Sequence, residues 1–157
     1  MVRRLFPVQA DNRFEGYRAA LGLLGTFVAL KLVMSVNSIV NTASIAAGDG
    51  IPLESFGPAA AREVLTLFAL MALGQLMLAL VALTVLVRYR ALVPLICLLL
   101  LAERIAGRLI IWSRAEAGAE SPPIVWIMAI ALPTLLILAL LLSLIPRRLP
   151  VSEEEVR

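Results

Sequence analysis

The residues of this chain that could do chemistry sit where charge is expensive. Glu103, Arg104 and Arg108 lie within residues 91–113, ALVPLICLLLLAERIAGRLIIWS, an otherwise apolar run of membrane-spanning length. Lys31 interrupts a first apolar block that also carries Asn37 and Asn41, and Glu63 and Gln75 belong to a second. A charged side chain near the middle of a bilayer costs roughly 2.5–3.5 kcal/mol, so such residues need partners, water or a ligand. Two arginines four residues apart on one helix can clamp an anion, and a carboxyl group beside them can carry a proton.

Other chemistries are excluded or lack support. Histidine is absent and Cys97 is the only cysteine. Structural zinc, His-ligated haem and an internal disulfide therefore have no ligands, and no metal site is expected. Cys97 reads as a small buried hydrophobe. No Ser/His/Asp grouping, phosphate loop or H-E-x-x-H occurs, so no catalytic residue can be named. The formal charge of +3 comes without a basic cluster interleaved with aromatics, which argues against nucleic acid.

Spacing predicts how the polar residues meet. Arg104 and Arg108 share a helix stripe with Cys97, Leu101 and Ile111, while Glu103 stands about 100° to one side, above Gly107. Counting along each helix at about 1.5 Å per residue puts Arg108 level with Glu63 near the outer end. Arg104 and Glu103 fall level with Asn37, and Lys31 is level with Gln75 deeper down. The expected partners are Glu63 for Arg108 and Asn37 or Asn41 for Arg104, with Glu103 lacking an obvious mate except Lys31 at a stretch. Lys31, Ser35, Ser38 and Thr42 form a related stripe, in which the hydroxyls can bond their own helix.

These residues need long helices to hold them. Of the residues, 61% are hydrophobic and 16% charged, against about 25% charged in a soluble domain. The apolar residues come in blocks able to cross a hydrocarbon core of about 30 Å. The reading is an all-α, multi-pass membrane protein, a four-helix bundle over 19–146, with helices at about 19–47, 59–87, 92–113 and 124–145. Residues 1–18 form a polar N-terminal segment and 147–157 a solvated tail. The first block is too long for the core of a secretory leader and contains Lys31, so an uncleaved span is expected, ending at Gly48-Asp49-Gly50. Pro58 suits the first turn of helix two, and Pro133 in helix four is expected to kink it.

Arg3, Arg4, Arg13, Arg18, Arg88, Arg90, Arg147, Arg148 and Arg157 would share one side, against Arg62 and Arg114 on the other. The positive-inside rule then places both termini in the cytoplasm. Trp112 and Trp126 fall at the outer interface and Tyr17 and Tyr89 at the inner one, as aromatic anchors.

The order Arg18, Lys31-Leu32, Gly50-Ile51-Pro52, Glu63, Gly74 and Arg88 resembles the small bacterial four-helix membrane proteins of the DoxX-like group over about residues 18–105. Val64-Leu65 stand where that group usually has small residues, and Gly107-Arg108 resembles related four-helix families instead. The resemblance implies a bundle in a bacterial cytoplasmic membrane, sometimes linked to quinone or thiol redox partners. It implies no activity transferable residue by residue.

Pure interhelical packing is one account of the polar residues. Polar contacts between membrane helices average only about 0.6 kcal/mol, weak compensation for so many buried charges. That imbalance favours an outward polar pocket formed by Lys31, Asn37, Asn41, Glu63, Gln75, Glu103, Arg104 and Arg108. The leading expectation is a non-enzymatic membrane protein binding a small polar, anionic or lipid-like ligand, or serving as an accessory subunit. A membrane-protein partner or a second copy fits that role, and no cofactor is required, although quinone or lipid would fit. The alternatives are a small proton-coupled transporter and a membrane-embedded enzyme acting on a quinone or isoprenoid.

Overall fold

The computed structural model describes residues 5, 7, 9–114 and 123–145. Residues 115–122 between the last two helices and the C-terminal tail expected from sequence lie outside these residues, as do Arg3 and Arg4. The described residues form helices and turns, with no strand among them. The helices are α1 (Arg18–Val40), α2 (Thr42–Gly48), α3 (Pro58–Arg88), α4 (Val93–Arg114) and α5 (Pro123–Leu144), with 3-10 turns at Leu53–Ser55 and Arg90–Leu92.

Three helical stretches are long and apolar enough to cross a membrane: Arg18–Val40, Pro58–Arg88 and Trp126–Leu144. Of the four spans expected, α4 falls outside this set. Glu103, Arg104 and Arg108 sit close together in this 22-residue helix and lower its apolar character below that of the other three. The expected first helix over 19–47 is also divided. Asn41, at φ −112° and ψ 38°, leaves helical geometry and separates α1 from the short α2. Gly50 follows with φ +86°, a left-handed conformation that glycine adopts without steric cost. Pro58 opens α3 as expected, its missing N–H being one that a first turn leaves unused. α5 runs through Pro133 without a break in helix.

α1 packs along both α3 and α5, and α5 also packs along α4, whereas α3 and α4 approach each other over a short stretch only. Two backbone hydrogen bonds fix one end of this assembly. Tyr17 N–H donates to the Leu142 carbonyl at 3.1 Å, and Ala91 N–H donates to the Asp11 carbonyl at 3.2 Å. The start of α1, the end of α5 and the α3–α4 turn therefore gather at what is here termed the proximal end. Gly16 makes the close approach feasible, since a Cβ there would lie 2.6 Å from the Ser143 carbonyl oxygen and 2.8 Å from its Cα.

The hydrophobic core occupies the proximal half. Leu24, Phe27 and Val28 of α1 meet Ala82 and Val85 of α3, Ile96, Cys97 and Leu100 of α4, and Leu132, Leu136 and Ala139 of α5. Steps of three and four residues give each helix an inward stripe. One turn beyond Phe27 and Leu100, that stripe changes from apolar to polar.

Candidate functional site

On α1 the inward stripe continues from Leu24, Phe27 and Val28 to Lys31 and Ser35, all buried. On α4 it continues from Leu100 to Glu103 and Arg104, and on α3 Gln75 stands at the same level. Lys31 Nζ donates to Gln75 Oε1 and, at 3.2 Å, to Glu103 Oε2. Gln75 Nε2 donates to Glu103 Oε1 at 2.9 Å, closing a ring of three side chains from three helices. The Lys31 side chain is only 2% exposed and that of Glu103 30%, so this ion pair forms largely out of solvent. Gln75 acts here as a two-sided connector, its carbonyl oxygen accepting from the cation and its amide donating to the anion.

Arg104 borders this ring without closing it. Its Nε lies 4.0 Å from Glu103 Oε2, beyond hydrogen-bond reach. That Nε is buried and has no hydrogen-bond partner, alone in this among the side-chain atoms of the described residues. The guanidinium carbon sits 5.9 Å from the centroid of Phe27, and Lys31 Nζ stands 6.0 Å from the same ring. One aromatic face thus meets two cations, a weakly favourable arrangement for each. Lys31, Glu103 and Arg104 together carry one net positive charge.

The sequence-predicted residues divide into two sets. Lys31, Gln75, Glu103 and Arg104 come together, and Glu103, expected to lack a clear mate, holds two hydrogen bonds and an ion pair. Asn37 and Asn41 do not reach Arg104. Asn41 Nδ2 donates to Asn37 Oδ1 at 2.7 Å and both residues are exposed. Asn37 is two residues past the buried Ser35, about 200° further round the helix, which turns it away from the bundle. The expected Glu63–Arg108 pair is likewise corrected. Glu63 is exposed and makes no ion pair or side-chain hydrogen bond among the described residues. It lies nine residues from the buried Ala72, which at about 100° per residue is the opposite face of α3. Arg108 is half-buried on α4.

Phe27 escaped the sequence reading. It stands one turn before Lys31 on the same stripe, a spacing that could have marked it as the floor of the cluster. Among the described residues no group of His, Cys, Asp and Glu could hold a metal ion. A separate surface groove lies at the proximal end, lined by Ala10, Asn12, Val87, Arg88 and Tyr89, away from the buried ring.

No protein-family model, curated protein or solved structure matches this chain. Fold and site together define a helical protein with three helices apolar enough to cross a membrane and a part-buried polar cluster linking α1, α3 and α4.

Proposed function

We propose that this chain is a multi-pass protein of a bacterial cytoplasmic membrane that binds a small anionic or lipid-like ligand at Arg104, without catalysing a reaction. In this reading α4 crosses the bilayer with the other three long helices, shielded by them, and both termini face the cytoplasm. The DoxX-like order of residues is part of the same proposal and contributes no residue role.

One observation carries the reading: the buried Nε of Arg104, which no hydrogen bond satisfies and which lies 4.0 Å from a Glu103 carboxylate already bonded to Lys31 and Gln75. Lys31 and Glu103 neutralise each other, and Gln75 satisfies both. The Arg104 charge is left over. A buried donor without an acceptor costs about 1–3 kcal/mol, and the 31% exposure of the Arg104 side chain holds the cost to the lower end, so an incoming anion gains about that much by supplying the acceptor. A purely structural network has no need of the additional cation, since Lys31, Gln75 and Glu103 already tie the three helices together.

Native mass spectrometry of the protein extracted with its surrounding lipids tests this. The parent is expected to retain a small anionic molecule that Arg104→Gln loses. Identical bound species in both, with both folded, would overturn the reading.

A further inference from the structure

We infer that the groove at the proximal end of the bundle holds the headgroup of an anionic phospholipid, a phosphodiester monoanion, with Arg88 as its charged contact. The inference rests on the membrane reading above and is independent of the Arg104 site.

The lining of the groove supplies donors and no acid. A volume of about 450 Å³ lies between Ala10 and Asn12 of the N-terminal segment and Val87, Arg88 and Tyr89 at the end of α3. The bond from Ala91 N–H to the Asp11 carbonyl holds these two stretches against each other. The Asn12 amide, the Arg88 guanidinium and the Tyr89 hydroxyl can all donate hydrogen bonds. None of these three side chains bonds or pairs with another described residue. Three unengaged donors thus line one groove, and phosphate oxygens are acceptors that suit them.

The surrounding charges favour an anion. Among the described residues of the proximal end, Arg13, Arg18, Arg88 and Arg90 outnumber Asp11 and Glu15. Asp11 Oδ1 is turned to its own segment, accepting the Arg13 backbone N–H at 3.1 Å, and Arg90 Nε is tied to the Leu86 carbonyl at 3.2 Å. Arg88 is exposed and is the arginine that lines the groove. With no carboxylate in the lining, the ammonium of a zwitterionic headgroup has no partner there.

Two features select the bilayer as the source of the phosphate. α3 has 31 residues and a length of about 46 Å, so even at a tilt of about 40° it outreaches a hydrocarbon core of about 30 Å. Its end, with Arg88 and Tyr89, then stands at headgroup level, where basic clusters attract anionic lipids. Val87 at the edge of the groove is 61% exposed, and Leu83 and Leu80, four and then three residues earlier on the same stripe, are exposed as well. A lipid whose phosphate meets Arg88 lays an acyl chain along Val87, Leu83 and Leu80, a contact that a water-borne phosphate cannot make.

Purified full-length protein in neutral detergent is titrated with phosphatidylglycerol, phosphatidylcholine and acyl-free glycerophosphoglycerol, and bound molecules are counted by native mass spectrometry. The first phosphatidylglycerol is expected to bind about fivefold or more tightly than phosphatidylcholine. Arg88→Gln should abolish that preference, Arg88→Lys should keep part of it, and Arg104→Gln should leave it intact. Arg18→Gln makes the same charge change at the same end outside the groove and should have the smaller effect. Equal losses in Arg88→Gln and Arg18→Gln would indicate general surface attraction and overturn the inference, as would equal affinity for the two lipids. Glycerophosphoglycerol binding as tightly as phosphatidylglycerol overturns the bilayer source. Recovery of the chain from the soluble rather than the membrane fraction of cells would instead overturn the membrane reading on which the inference rests.

Discussion

Lys31 of α1 and Glu103 of α4 pair at 3.2 Å between helices that pack mainly on others, α1 on α3 and α5 and α4 on α5. The two charges are not equally replaceable. Glu103 has a second cation nearby in Arg104, whereas Lys31 has no other carboxylate partner among the described residues. Removing one member of a buried pair typically costs about 3–5 kcal/mol, because the other charge is left uncompensated. Glu103→Gln is therefore expected to destabilise more than Lys31→Met, with the 30% exposure of Glu103 holding both toward the lower end. The double variant Lys31→Met with Glu103→Gln should recover part of the loss. Thermal unfolding in a fixed detergent, read as a double-mutant cycle, measures this; equal effects of the two single variants would contradict the asymmetry.

Gln75 separates stability from binding. Gln75→Leu removes the acceptor for Lys31 and the donor to Glu103, an expected cost of about 1–3 kcal/mol. Gln75→Glu keeps an acceptor for Lys31 but loses the donor to Glu103 and sets two carboxyl groups about 3 Å apart, so it should destabilise at least as much as Gln75→Leu. Neither variant touches Arg104, so where folded both should retain the anionic molecule that Arg104→Gln loses. Thermal unfolding reads the first effect and native mass spectrometry the second. Asn37→Ala with Asn41→Ala serves as the control and should leave affinity unchanged, since both side chains are exposed and bond each other.

Depth is only partly legible in the sequence, and direction less so. Counting residues along a helix matches Lys31 with Gln75, which are in contact, but sets Glu103 level with Asn37, whereas it meets Lys31 and Gln75, because helices that tilt and start at different heights do not share one count. Which way a side chain faces depends on where the buried stripe runs, and an almost uniformly apolar helix hardly records it. α1 contains exposed Val33, Met34, Val36 and Val40 alongside buried Leu24 and Val28. Lipid rewards an apolar outer face as readily as the interior does, so the polar–apolar alternation that reveals a soluble helix's inner face is missing. Asn37, Asn41 and Glu63 read as inward-facing from sequence for that reason. Helix ends are marked better, through Pro58, Gly57 and the Gly48-Asp49-Gly50 turn, and the break at Asn41 falls in SVNSIVNTAS, residues 35–44, whose Ser, Asn and Thr compete with helical backbone bonding.

The proximal end should tolerate very little added bulk. Gly16→Ala drives a methyl group against the Ser143 backbone, which side-chain rotation cannot relieve, so a loss of about 1–3 kcal/mol is expected. Gly22 provides the contrast, because a Cβ there meets nothing within 4 Å and alanine is the better helix former by about 0.5–1 kcal/mol. Gly22→Ala should hold or raise the unfolding temperature where Gly16→Ala lowers it. Scanning both variants in the same detergent decides the matter, and a Gly16→Ala protein as stable as the parent would show that α1 and α5 can separate at this end at little cost.

Topology can be measured with cysteine chemistry, because Cys97 is fully buried in the core and is the only cysteine. Replacing it with alanine leaves a background in which one new thiol reports its own side of the membrane. Gln9 lies before α1 and Ser55 between α2 and α3, and both are exposed. They lie at opposite ends of the first span, whose arginine-rich flank carries Arg13 and Arg18. If the positive-inside rule orients the protein, a membrane-impermeant maleimide added to intact cells labels Ser55→Cys and spares Gln9→Cys until the membrane is permeabilised. Labelling in the reverse order would invert the orientation and overturn the expected cytoplasmic placement of the termini.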